Sequence, residues 1–332
     1  MKKNVFSGSD SFAIYQKPND NKNFIAYGNW EIIDENHQFN SHSFFTISIF
    51  NGKTYSLSEE PIKLINEPII NNPSRNTTLA TSKKSYLKGV NSVIENCKKN
   101  NLQKCIISRI KNIPYQNHNY FNIYKKLTLK YRHGFKYILN HPEHGMWIGV
   151  SPETLLKGNR SKGFQTQALA GSKAKDSNTE WSKKEYHEHN YVASYIKDII
   201  QNNGELISEG KTQDITAGNV IHLNREYHFN LDQDLFKFVK KLHPTPAIGG
   251  FPTNIALDKI AEMEKHNREF YCGYIGGLNK DECELYINLR CAKITQDKIH
   301  IYVGGGVTAE SEAEEEFKET EIKSQTLLPV FK

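Results

Sequence analysis

The stretch from 284 to 307, ELYINLRCAKITQDKIHIYVGGGV, constrains the fold most, because it alternates side-chain character on either side of a short polar turn. Leu285, Ile287, Leu289 and Cys291 share one face, and Tyr286, Asn288, Arg290 and Ala292 the other. The pattern predicts a strand over 284–294, a hairpin-like turn at TQDK, and a partner strand over 298–307. A face carrying Tyr, Asn and Arg borders either water or a polar pocket. Residues 24–57 add short strand-like runs, FIAYGNWEII and FFTISIF, before the polar stretch NEPIINNPSRNTT. Helical patterns follow over 82–101 and in NIYKKLTLKYRH, with a strand at 104–113 between them. GMWIGVSPETLLKG, 145–158, reads as a strand pair or a strand and turn, and a lysine-rich connection spans 172–184. Hairpin strands with interspersed long helices, lacking a regular βαβ rhythm, predict an α+β fold with largely antiparallel sheet.

At 332 residues the chain could form one large domain or two. With 37% hydrophobic and 24% charged residues it is too apolar for disorder. No apolar run approaches the roughly 20 residues of a spanning helix, and MKKNVFSGSDSF has no apolar region behind its lysines. A cytoplasmic protein without membrane contact is therefore expected. Its five cysteines include no CxxC pair, so neither zinc nor a disulfide framework is expected. The net charge of +6 comes with scattered lysines, which suits solubility or attraction of a small anion better than nucleic acid.

HPTPAIGGFP, 243–252, fits no regular element: its prolines remove backbone donors and its glycine pair frees the chain. NIALDKIAEMEKHNRE then has helical spacing, with Thr253 or Asn254 available as N-cap. A glycine pair near a helix N-terminus can present amides to an anion; a tight connection between packed elements is the plainer reading.

EWSKKEYHEHNYVASYIKDIIQNN, 180–203, lays Trp181, Val192, Tyr195, Ile196 and Ile199 along one stripe, and Glu188 falls on it. A carboxylate there must be exposed by fraying, paired, or bound to a cation. In a last helix expected over 312–328, Glu316, Glu319 and Lys323 share one face. That face reads either as a solvated acidic surface with a Glu319–Lys323 pair or as oxygen donors for Mg²⁺.

Taken together these pieces resemble the chorismate-utilising enzymes: isochorismate synthase, salicylate synthase, anthranilate synthase component I and aminodeoxychorismate synthase component I. Nine motifs stand in order over about 100–332: KCIISR, SPETLL, ALAGSK, YHEH, LHPTPAIGGFP, REFYCGYIG, INLRCAKI, GGGV and EFKETEIK. The resemblance implies a single large domain, two similar halves with facing antiparallel sheets and helices outside. Residues 1–95 would be a variable β-rich part of it and 96–332 the catalytic region. It implies chorismate as substrate and Mg²⁺ as cofactor, held by Glu188, Glu316 and Glu319. Lys104 would be the general base and Glu153 the general acid, with Gly171, Ala247, Leu289, Arg290, Gly304 and Lys323 against the substrate; His243 would line the same wall, a packed, hydrogen-bonded histidine being the plainer reading. Members that use ammonia carry Gln where Lys104 stands, and members with a lysine nucleophile carry it where Ala170 stands. The resemblance therefore implies water as nucleophile, an isochorismate synthase that is monomeric and needs no amidotransferase subunit. A salicylate synthase, which goes on to eliminate pyruvate, and a catalytically silent binding protein for a small anion are the alternatives.

Overall fold

The segment expected as one strand over 284–294 folds as two, Glu282–Ile287 and Arg290–Ile294, which belong to different sheets. The alternation is nevertheless real. Leu285, Ile287 and Cys291 all enter one hydrophobic core, because the two sheets pack against each other and share it. Tyr286, on the opposite face of the first of these strands, is buried in the same core and stacks on Phe135 of the other sheet at 4.9 Å, so both faces of this strand are covered where the chain crosses at Asn288–Leu289.

The computed structural model describes residues 11–332 except 38, 40, 41, 43, 74–77, 100, 117, 118, 176–179, 218 and 219. The N-terminal segment, residues 1–10, lies outside the described residues, as do parts of the polar stretch and of the lysine-rich connection. In chain order the structure begins with β1 (Phe12–Gln16), β2 (Phe24–Tyr27), β3 (Trp30–Ile33), β4 (Phe44–Ser48), β5 (Thr54–Leu57) and β6 (Ile62–Lys63). Then come α1 (Lys83–Lys98), β7 (Lys104–Pro114), α2 (Tyr120–Lys130), β8 (Phe135–His141), β9 (Gly145–Ser151), β10 (Thr154–Asn159) and β11 (Gly163–Ala174). They are followed by α3 (Lys183–Asn203), β12 (Glu205–Glu209), β13 (Gln213–Ala217), β14 (Val220–Asn230), α4 (Leu235–Leu242), β15 (Gly250–Phe251) and α5 (Thr253–Met263). The chain closes with β16 (Tyr274–Leu278), β17 (Glu282–Ile287), β18 (Arg290–Ile294), β19 (Lys298–Val307) and α6 (Ala313–Ser324).

Among the described residues, one sheet has the order β15-β7-β19-β18-β9-β8-β1-β2-β6 and the other β12-β14-β11-β10-β17-β16-β4-β5-β3, with β13 also on β14. Every pairing is antiparallel, in an α+β fold as the sequence predicts. The first third, which carries no readable motif, supplies strands to both sheets.

A second crossing accompanies the first. β9 lies in one sheet and β10 in the other, and Pro152–Glu153 joins them. The two crossings are stitched together: Ile287 N–H donates to the Glu153 carbonyl at 2.9 Å, and Ser151 Oγ donates to the Ile287 carbonyl. Asn288 is 1% exposed; it donates to the Phe270 carbonyl at 2.9 Å and accepts from Tyr137 Oη at 2.8 Å. It is therefore a structural residue, not part of a polar face toward water or a pocket.

The HPTPAIGGFP segment docks on the beginning of β7. Gly250 (φ +132°) lies so close that a Cβ would stand 2.3 Å from the Lys104 carbonyl oxygen. Residues Gly250 and Phe251 pair with Cys105 and Lys104. Helix α5 starts with Pro252 at the cap position and no side-chain cap, so neither Thr253 nor Asn254 serves as expected. Arg268 fastens this loop to the sheet. Its guanidinium donates to the Ile248 carbonyl at 2.9 Å and the Ile106 carbonyl at 2.7 Å, and pairs with Glu264 at 2.6 Å.

Both partners of that pair are buried, so Arg268→Met would leave the Glu264 carboxylate with only the Ser108 N–H and His266 beside it and take a donor from two carbonyls. The expected cost is about 3–5 kcal/mol in urea denaturation at pH 7. A change below about 1 kcal/mol would show that Arg268 fastens nothing.

Candidate active site

One cavity of about 130 Å³ collects most of the residues singled out by the sequence. Lys104 opens β7 and points inward, 2% exposed. Glu153 and Arg290 reach the cavity from the two stitched crossings, as Arg290 begins β18 beside Val150 of β9. Gly171 lies at an irregularity in the β11–β14 pairing, with φ +71°; a Cβ there would stand 3.2 Å from the Glu185 carbonyl. Gly304 of β19 leaves no room either, since a Cβ would fall 2.9 Å from Tyr271 Oη. Ala247 and Leu289 complete the wall.

The electrostatics of these groups differ sharply. Burial pushes the Glu153 carboxyl up to about 7, against the opposing charges of Arg290 and Lys104. Among the described residues Arg290 forms no ion pair, which leaves its planar fork available to an anion in the cavity. Lys323 Nζ donates to the Gly304 carbonyl at 3.0 Å and pairs with Glu319 at 2.6 Å.

Three glutamates border this region, and each meets a lysine: Glu188 lies 3.8 Å from Lys104 Nζ, Glu316 2.9 Å from Lys184 Nζ, and Glu319 pairs with Lys323. Glu188 and Glu319 line the cavity, whereas Glu316, 2% exposed, sits behind its wall. As placed, no three carboxylate, imidazole or thiol groups among the described residues converge closely enough to hold a metal. The donor chemistry nevertheless suits a hard cation. All three are carboxylates, burial raises the Glu188 and Glu316 carboxyls and the neighbouring Glu319 charge adds to it, and Glu316 Oε2 is buried without a hydrogen-bond partner. Burial opposes the ionised form of Glu319 as well, but Lys323, Ser172 and Lys184 outweigh it and hold that carboxyl low. The acidic run of α6 is therefore split: Glu312, Glu314 and Glu315 face water, and Glu316 does not.

One expected wall residue is elsewhere. His243 lies outside the cavity lining; its Nε2 donates to the Cys272 carbonyl at 2.8 Å, and burial pushes the ring down to about 4. It is a packed histidine in the fold. The wall contains instead His222, whose Nδ1 donates to the Gly171 carbonyl at 3.0 Å. Burial, with Arg290 and Lys323, pushes this ring down to about 4, so it is neutral at pH 7 with Nε2 as an acceptor. Its strand carries His222, Asn224, Glu226, His228 and Asn230 along one face, so no local signal singles His222 out. Lys184 was also missed, although it stands four residues before Glu188 on the same helix face.

Comparison with known proteins places these residues in context. The chorismate binding enzyme family model matches residues 51–332. The isochorismate synthase EntC of Escherichia coli (strain K12) is 30% identical over 201 residues, covering 56% of this chain and 51% of its own. The chain thus spans about half the length of such curated relatives. The structure of MenF, the menaquinone-specific isochorismate synthase from Escherichia coli, superposes with a TM-score of 0.79 at 19% identity, covering 97% of this chain and 89% of that one. Anthranilate synthase component I from Streptococcus pneumoniae superposes at 0.69 with 15% identity, over 95% and 89%. These two likenesses show the fold: a single domain of helices and antiparallel sheets.

The Glu153 carboxyl should titrate near pH 7, so a protonated carboxyl band in the infrared spectrum should fade between pH 6 and 8 and be missing in Glu153→Gln. Because the folded value of about 7 lies above the ordinary 4.5, the carboxyl's contribution to stability is complete below 4.5 and is lost as pH rises through 7. Glu153→Gln should therefore match the parent at acid pH and exceed it by about 1–3 kcal/mol above neutrality. A band already absent at pH 5 would contradict this account.

Proposed function

The chain belongs to the chorismate binding enzyme family, and from that premise we propose that it is an isochorismate synthase, converting chorismate to isochorismate. One observation carries the reading: Lys104 and a Glu153 carboxyl raised to about 7 share one cavity, beside an Arg290 with no carboxylate partner among the described residues. Water adds at C2 of the ring while the double bonds shift and the 4-hydroxyl departs. That exchange needs a base for the water and an acid for the leaving oxygen. Lys104, in its free-amine form once Glu188 is drawn away from it, accepts the proton of the attacking water. Glu153, protonated near neutral pH, gives its proton to the departing oxygen. Arg290 and Lys323 hold the substrate's carboxylates, the backbone at Gly171 and Gly304 lies against the ring, and Ala247 and Leu289 shape the wall.

Ala170 cannot act as a nucleophile, and Lys104 stands where ammonia-using relatives of the family carry Gln; both features support water. Glu188, Glu316 and Glu319 would hold Mg²⁺, which when bound supplies positive charge for the ring carboxylate. Releasing Glu188, Glu316 and Glu319 from Lys104, Lys184 and Lys323 would free donors for it. The enzyme works as a cytoplasmic monomer with no amidotransferase subunit, and its product enters menaquinone or siderophore synthesis. The name of the EntC relative supports the same activity.

Purified protein given chorismate and Mg²⁺ should form isochorismate, resolved by chromatography from salicylate and from amino products even when ammonium is supplied. Lys104→Ala should lose about 10²–10⁴-fold in turnover in both directions, and Glu188→Gln should shift the Mg²⁺ requirement to higher concentration. Near-parent turnover of Lys104→Ala would remove the base from the mechanism, and salicylate as the sole product would replace the proposed activity.

A further inference from the structure

The inner cavity adjoins a larger one of about 710 Å³, and the two share Pro152, Leu169, Arg290 and Lys323. Their charge differs. The inner cavity mixes lysines with Glu153, Glu185, Glu188 and Glu319, whereas the described lining of the outer one adds Lys130, Arg132 and His133 and contains no aspartate or glutamate. A chamber whose charged lining groups are all cations, set against Arg290 and Lys323, is a funnel for an anion.

The fold fixes this rim in place. Helix α2 ends at Lys130, and residues 131–134 lead into β8. Gly134 lies against the end of β9: a Cβ there would stand 2.4 Å from Val150 Cγ2 and 3.0 Å from the Ser151 carbonyl oxygen. Val150 is the register partner of Arg290, so the rim segment borders the strand start that carries that arginine. Tyr131 Oη donates to the Thr326 carbonyl at 2.6 Å, and the Arg132 carbonyl accepts from Asn19 N–H at 2.9 Å and Lys136 Nζ at 3.3 Å. The backbone is held while the Lys130 and Arg132 side chains are exposed. Neither is paired with a carboxylate among the described residues, and Lys130 Nζ rests 5.7 Å from the Tyr131 ring centre.

We propose that the outer cavity is an anion-binding vestibule in which Lys130 and Arg132 gather a small dicarboxylate before it passes to Arg290 and Lys323. The inference rests on the reading of the inner cavity as a chorismate site. Two cations acting on a dianion through water over about 10 Å change its capture by roughly three- to tenfold at low ionic strength. Molar salt shortens the screening length to about 3 Å and abolishes the effect.

The test compares the parent with Lys130→Gln/Arg132→Gln and with Lys130→Glu/Arg132→Glu, using chorismate, at about 20 mM and about 1 M ionic strength with Mg²⁺ constant. The expected result is a KM raised about three- to tenfold in the neutral double variant at low salt, more in the charge-reversed one, with kcat unchanged and the variants converging at high salt. An unchanged KM at low salt, or a loss confined to kcat, would overturn the vestibule while leaving the isochorismate synthase reading intact. An increase in KM that persists at high salt would also overturn it, since packing damage is not screened. Failure of the parent itself to convert chorismate would overturn both.

Discussion

The hydrogen bonds between the Ser151–Glu153 and Ile287–Leu289 crossings hold the site together. Each crossing carries the chain from one sheet to the other, and each delivers one charged side chain, Glu153 and Arg290, to the same cavity. A carboxylate and a guanidinium placed on neighbouring positions of a single sheet would tend to pair in water. Here the sheets bury Glu153 enough to keep its proton near neutrality, and Arg290 is left for an external anion. Arg268 extends the same logic to the other wall, tying the loop at Ile248 to the strand that begins with Lys104.

Charge balance around the cavity is equally economical. Glu188, Glu316 and Glu319 would repel one another in a buried setting, and lysines from three different elements compensate them: Lys104 from β7, Lys184 from α3 and Lys323 from α6. Pairing offsets part of the cost of burying these carboxylates, although burial still raises Glu188 and Glu316, and a divalent cation among the carboxylates would leave lysine charge available to an anionic ligand. The cationic chamber outside Arg290 completes a gradient from mixed charge inside to positive charge at the rim.

Much of this was legible in the sequence, and the failures have physical causes. The β18–β19 hairpin followed from alternation and a short turn. The break at Asn288–Leu289 did not, because the alternation runs on through the crossing and burial of both faces of β17 leaves no local mark of it. The acidic face of α6 stayed open between a solvated surface and a cation site because burial of Glu316 depends on Ser311 and Lys184, one of which is far away in the chain. His243 was expected at the wall and His222 was not singled out, for a similar reason. Both are buried histidines bonded to backbone carbonyls, and only tertiary packing determines that His222 borders the cavity. The proton affinity of Glu153 is likewise a property of its surroundings, which no local pattern encodes.

The central claim is that Lys104 and Glu153 exchange one hydroxyl for another with water as the nucleophile. Conversion of chorismate by the purified protein in H₂¹⁸O with Mg²⁺, followed by mass spectrometry of the product, tests it most directly. The account predicts isochorismate carrying one ¹⁸O in its ring hydroxyl from the first turnover. Isochorismate formed without label would mean that the hydroxyl migrates within the substrate, and would contradict water activation by Lys104.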